Sequence, residues 1–132
     1  MKTRTPLILA LAAFAGFSVL AQTGKPYDWV APSRAAKKPN PVASTPDSLA
    51  KGKAFYVREC AACHGNAGCG DGPKAGELQP KPRDVSDPAI QGQSDGSLFW
   101  KLTEGKAPMP TYAKSSEDDR WSVINFVRTL KK

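Results

Sequence analysis

The segment Cys60-Ala61-Ala62-Cys63-His64 constrains this chain more than any other feature, because two of its three cysteines and its single histidine fall within five positions. A lone histidine cannot supply a multi-histidine zinc site, a bis-histidine centre or a two-metal cluster, so histidine-dependent chemistry has one address. Several uses of these residues compete. A thioredoxin-like redox pair spaces its thiols as Cys-x-x-Cys but sits in a βαβ pattern, which is absent here. A zinc site drawn from Cys60, Cys63, His64 and Cys69 has enough ligands. The adjacent Cys63 and His64 would, however, have to bend onto one tetrahedral ion, and there is no second Cys-x-x-Cys knuckle. A structural disulfide between Cys60 and Cys63 would leave His64 without a role.

Covalent haem attachment uses all three residues. Cys-x-x-Cys-His brings two thiols to the two vinyl groups of one porphyrin and carries the adjacent imidazole beneath the iron. Composition then narrows the second axial ligand, since one of the two methionines is the initiator. Met109 lies 45 residues after His64, between Pro108 and Pro110 and soon after Gly105. Thioether sulfur is a soft ligand suited to haem iron, and the flanking prolines fix φ on both sides, so less conformational freedom is lost on presenting it. A methionine in an arbitrary loop is more often a gap-filler; this setting points to a sixth ligand. The expected cofactor is therefore one haem c, attached through Cys60 and Cys63, with its iron ligated by His64 and Met109.

The chain ahead of this motif divides by composition. Lys2 and Arg4 precede an apolar run from Leu7 to Leu20 broken only by Ser18, and Val19-Leu20-Ala21 suits a cleavage site, so residues 1–21 read as a secretory signal peptide. Fourteen residues of helix rise only about 21 Å, short of the roughly 30 Å hydrocarbon layer; a retained, tilted anchor is the minor alternative. Removing Lys2 and Arg4 takes nineteen basic residues to seventeen against twelve acidic ones, and the charge from +7 to +5. Residues 22–44 carry Pro26, Pro32, Pro39 and Pro41 too closely for helix and bury too little to offset their ordering entropy. They are expected as an extended or mobile arm, with Tyr27 and Trp29 resting on the domain surface or docking a partner.

Periodic structure begins at Thr45, an N-cap followed by Pro46 at the first helical position and by Asp47, and apolar spacing predicts a helix over 46–60. Gly52 lies inside it at a cost of about 0.5–1 kcal/mol relative to Ala, which calls for close approach by another helix. A short helix is predicted over 95–103, closed by Gly105. Ser116-Glu117-Asp118-Asp119 starts a last helix whose Val123, Phe126, Val127 and Leu130 form one apolar stripe.

With these elements in order, residues 46–132 resemble a class I mono-haem cytochrome c. The resemblance rests on Gly52, Tyr56, Cys60-x-x-Cys63-His64-Gly65, Gly70-Asp71-Gly72-Pro73, Met109-Pro110 and a terminal helix holding Trp121 and Phe126. It implies an all-α cytochrome c fold over 45–132, three to four helices with long loops around the haem, and crossed N- and C-terminal helices in which Phe126 meets Gly52 beside Tyr56. It also implies that a proline carbonyl accepts a hydrogen bond from the proximal histidine, and Pro73 is the best match, although ending a Gly-rich turn would account for it as well. The segment 79–84 reads as an extended loop beside the haem. Arg83, Trp100, Lys101 and Trp121 are alternative contacts for a propionate, among which the sequence does not choose. Cys69 is left as an unpaired thiol in a loop, inert or able to form an intermolecular disulfide.

A haem with both axial positions filled favours outer-sphere transfer over substrate coordination, and no acid, base or nucleophile constellation accompanies it. The expected function is a monomeric one-electron carrier cycling between Fe(II) and Fe(III), not an enzyme. Haem c attachment in such bacterial proteins occurs outside the cytoplasm, so the expected location is the periplasm, with membrane contact only through partners or an uncleaved signal. The alternative is a cytochrome subunit docked to a periplasmic dehydrogenase or terminal reductase. Net +5 favours partners with acidic docking surfaces; nucleic acid is not expected, since the charge is spread along the chain.

Overall fold

The computed structural model describes residues 29–132; the signal-peptide reading of 1–21 and the first part of the arm lie outside them. In order come α1 (Ser33–Ala36), α2 (Pro46–Glu59), α3 (Ala61–His64), a 3-10 turn (Ala75–Glu77), α4 (Pro88–Gln91), α5 (Asp95–Glu104) and α6 (Glu117–Thr129). Among the described residues there is no strand, only an isolated bridge between Lys106 and Met109, and no helix long and apolar enough to cross a membrane.

The caps are those the sequence implies. Thr45 Oγ1 accepts from the Ser48 amide at 3.2 Å while Ser48 Oγ accepts from the Thr45 amide at 3.0 Å, a reciprocal box ahead of α2. Ser116 Oγ accepts from the Asp119 amide at 3.0 Å and opens α6. α2 and α6 cross where a Cβ on Gly52 would lie 2.0 Å from the Ser122 carbonyl oxygen and 3.0 Å from Phe126 Cβ. The close approach is therefore to the α6 backbone first, with Phe126 next to it. Tyr56 stacks obliquely on Phe126, ring centres 5.3 Å apart.

Two apolar clusters share Leu102. One gathers Phe55, Tyr56, Cys60, Ala61 and Val123 under α6; the other joins Phe99, Trp121 and Ile124 between α5 and α6. Arg128 serves more than its helix end. Its guanidinium donates to the Asp95 carboxylate at 2.7 Å and to the Gln91 and Gln93 carbonyls at 2.7 and 2.6 Å, tying α6 to the corner between α4 and α5.

Residues 29–44, expected as an extended or mobile arm, form a strap packed on α5 and α6. α1 lies so close to α5 that a Cβ on Gly96 would be 2.2 Å from the Ala35 carbonyl, and Ser94 Oγ donates to the Ala36 carbonyl at 2.7 Å. Asn40 and Asn125 form a clamp: Asn40 Nδ2 donates to Asn125 Oδ1 at 2.9 Å, and Asn125 Nδ2 donates to the Val42 carbonyl at 3.0 Å. Composition missed this because the strap orders through polar side chains and backbone carbonyls, with Ala31 its one buried apolar residue.

Candidate functional site

Cys60, Cys63 and His64 are brought together by one turn. Its amides close onto Cys60, with Cys63 N to the Cys60 carbonyl at 3.1 Å and His64 N to the same oxygen at 2.9 Å. Tyr56, one turn earlier on α2 and 1% exposed, donates its hydroxyl to the Gly65 carbonyl at 2.8 Å and fixes the exit of the turn. All three cysteines are free thiols. Burial pushes the Cys60 thiol up to about 12, so it stays protonated near neutral pH. Among the described residues no three His, Cys, Asp or Glu side chains gather closely enough to hold a metal ion, so Cys60, Cys63, His64 and Cys69 do not form the alternative zinc site.

The imidazole's partner differs from the expectation. His64 Nδ1 donates to the main-chain carbonyl of Arg83 at 2.9 Å, not to that of Pro73. The reason lies in how the next loop folds. Gly72 N donates to the Cys63 carbonyl and Lys74 N to the Ala62 carbonyl, so Pro73 runs back along the backbone of the turn and stays exposed beside Ala61 and Ala62. Val85 N donates to the Gly68 carbonyl at 2.7 Å, drawing 82–85 alongside and presenting the Arg83 carbonyl to the ring. Burial lowers the His64 pKa, and the Arg83 bond opposes that shift. Burial is the larger effect, and it favours a neutral ring held at Nδ1 with Nε2 carrying the lone pair.

Met109 sits half-buried in the turn after α5, where Lys106 N and Met109 N exchange bonds with each other's carbonyls at 3.0 and 2.9 Å. Tyr112 anchors that loop at both ends of its side chain and backbone. Its amide donates to the Leu102 carbonyl at 2.9 Å, its hydroxyl to the Glu59 carbonyl at 3.0 Å, and its ring packs edge-on against Phe55 at 5.6 Å. Glu59 immediately precedes Cys60, so the methionine loop is fastened to the helix end that begins the Cys-x-x-Cys-His turn. Neither Arg83's carbonyl nor Tyr112 stood out in the sequence: a main-chain acceptor has no side-chain signature, and the aromatic three residues beyond Met109 was the one available signal.

The remaining candidates separate. Trp121 is 1% exposed and stacked on Phe99 at 3.9 Å, inside the second cluster. Trp100 faces Trp29 of the strap, centres 6.3 Å apart. Lys101 is 6% exposed. Cys69 is half-buried, with the Lys132 ammonium beside it. Two surface hollows, of about 560 and 350 Å³, border the turn at Ala61, Ala62 and Gly65 and the loop at Arg83, although none of Cys60, Cys63, His64 or Met109 lines either.

Comparison with known proteins shows the family. The family model described as cytochrome c matches residues 49–131. No curated protein matched. Among solved structures, a chain of the reducing HAO-like protein complex Kustc0457/Kustc0458 of Kuenenia stuttgartiensis is similar at 33% identity and a TM-score of 0.64, over 70% of this chain and 47% of that one. The c-type cytochrome KustC0563 is similar at 26% identity and a TM-score of 0.51, over 61% of this chain and 98% of its own. This chain thus spans about half the length of the first of these.

Proposed function

Because this chain belongs to the cytochrome c family, we propose that it is a one-electron carrier built on one haem c. The haem is bound through Cys60 and Cys63, ligated by His64 and Met109, and exchanges electrons with redox proteins outside the cytoplasm. Family membership supports the coarse statement, a mono-haem c-type electron-transfer protein of all-α cytochrome c fold. The residues fit the group: two free thiols and an imidazole on one turn, and a thioether on a loop fastened to the same helix end. A bound haem c supplies a one-electron redox centre.

The observation that carries the finer reading is the His64–Arg83 bond. It orients the ring and leaves Nε2 as the donor nitrogen. The Lys106–Met109 bridge and Tyr112 hold the methionine loop in one shape, so the sulfur is offered with little entropy to lose. With His64 and Met109 both holding the iron, no position would be left for a substrate, and the group would serve outer-sphere electron transfer. Net +5 on the chain without residues 1–21 suits partners with acidic docking surfaces.

The test is the absorption spectrum of the exported protein, oxidised and reduced, with a denatured haemochrome assay. Haem should stay with the polypeptide in acid-organic solvent. Met109→Ala should keep the haem, lose the thioether-to-iron charge-transfer band and lower the reduction potential; a spectrum identical to wild type would overturn the assignment. Likeness to a chain of a protein complex favours a second reading, a subunit docked to a periplasmic oxidoreductase. Gel filtration of a native extract separates the two: haem eluting at monomer size supports the free carrier, and haem in a larger species the subunit.

A further inference from the structure

We infer that Gln91 is a positioning residue for the proximal histidine: its side-chain amide holds the loop whose Arg83 carbonyl accepts the His64 bond, and ties that loop to the last turn of α6. The inference rests on the haem c reading above. It concerns a residue that lies between the Cys-x-x-Cys-His and Met-Pro segments and belongs to neither.

The Arg83 carbonyl can orient the imidazole only as well as its own loop is held, and the loop is held at Val85, two residues on. The Val85 amide donates to the Gly68 carbonyl at 2.7 Å. Its carbonyl accepts from Gln91 Nε2, also at 2.7 Å. The same nitrogen donates to the Val127 carbonyl in the last turn of α6 at 3.0 Å, so both amide hydrogens are used. The group has one orientation, because turned over its oxygen would face two carbonyl oxygens. Val127 carries one of the helix-end carbonyls that lack a partner four residues ahead within the helix, and is open to such a donor. The main chain of Gln91 is fixed as well. Its amide donates to the Asp87 carbonyl at 2.9 Å, within α4, and its carbonyl accepts from Arg128 Nη1 at 2.7 Å. Val127 and Arg128 of α6 thus grip Gln91, and Gln91 grips Val85. One line of bonds runs from the end of α6 through Gln91 and the 83–85 segment to His64 Nδ1. The Asp84 carboxylate bonds Ser86 inside the same loop and the exposed Lys132 at the chain end, and a surface pair of that kind holds a loop weakly.

A histidine that donates its second ring N–H to a well-held carbonyl is the stronger donor to a metal. Stronger donation favours the electron-poor ferric state, so a looser Arg83 carbonyl should raise the midpoint potential. In the holoprotein, Gln91→Met keeps the side-chain length and the neutral charge and removes both donors. It should raise the potential and, in the reduced protein, speed solvent exchange of the His64 Nδ1 proton, read by NMR. Gln91→Asn keeps the donors on an arm one methylene shorter. It should move both readouts in the same direction by less, and it carries the test if Gln91→Met does not retain haem. The thioether-to-iron band should persist in both. A merely structural brace would lower the denaturant midpoint and leave the potential and the ring proton unmoved. Folded, haem-bearing variants with wild-type values of both therefore overturn the inference and leave the ligand assignment standing. A potential that falls overturns it too, since the histidine would not then have lost donor strength. Wild-type protein that lacks covalent haem overturns the haem reading itself.

Discussion

Gly52 is a glycine because α6 leaves no room for a Cβ. In an exposed helix, replacement by Ala would gain about 0.5–1 kcal/mol. Here the new carbon would meet a backbone carbonyl 2.0 Å away, and the helices would have to part. Overpacking of this kind costs about 1–3 kcal/mol, so Gly52→Ala should lower the denaturant midpoint of the holoprotein despite better helix propensity. Tyr56 carries a different burden. Its ring fills the crossing while its hydroxyl satisfies the Gly65 carbonyl beyond His64. Tyr56→Phe keeps the packing and removes one of two donors to that carbonyl, which the Gly68 amide also reaches at 3.1 Å, for a loss of about 0.5–1.5 kcal/mol in unfolding experiments. The meeting of Gly52 with Phe126 beside Tyr56 was legible through the family resemblance. Which atoms meet was not, because spacing along a helix says which face is buried and nothing about which backbone atom lies opposite.

At the scale of elements, the capped helices were the readable part and the strap the unreadable one. Thr45-Pro46-Asp47 and Ser116-Glu117-Asp118-Asp119 carry their start signals locally, in side chains that bond their own first turn. The strap carries none: α1 is one turn with no side-chain cap, and its docking depends on Gly96, Ser94 and Asn125, more than fifty residues away. Because the Gly96 approach is to the carbonyls of Ala35 and Lys38, Gly96→Ala should displace the strap while α2 and α6 stay packed. Limited trypsin digestion should then cut after Arg34 and Lys37 faster than in the wild type, with the haem spectrum retained. The same distinction explains the histidine acceptor. Pro73 was chosen for its place in the chain, whereas the Arg83 carbonyl reaches His64 through a loop registered by Val85 on Gly68.

For the whole molecule, charge and acid stability give two checks. Asp84, beside Arg83, accepts from Ser86 and from the Lys132 ammonium, and those bonds hold its carboxyl down to about 2. A folded value below the unfolded one of 3.8 means that its contribution is present above about pH 4 and lost as the pH falls toward 2. Unfolding free energy measured across that window should fall less steeply in Asp84→Asn. The net charge acts at longer range. With a Debye length of about 8 Å at physiological salt, transfer to an acidic redox protein should slow as ionic strength rises, read as a falling second-order rate constant in stopped flow.

Local chemistry decided the helices, their caps and the turn that gathers Cys60, Cys63 and His64, because each is built from neighbours in the chain whose side chains bond or pack within one or two turns. Long-range placement decided the rest: the Arg83 carbonyl on His64, Tyr112 fastening the Met109 loop to Glu59, and the strap laid over α5 and α6. Those contacts run through main-chain carbonyls and uncharged side chains, groups that every segment of the chain carries. Their partners are therefore selected by folding, when the loops are brought to one side of the α2–α6 crossing, and residue type alone does not mark them.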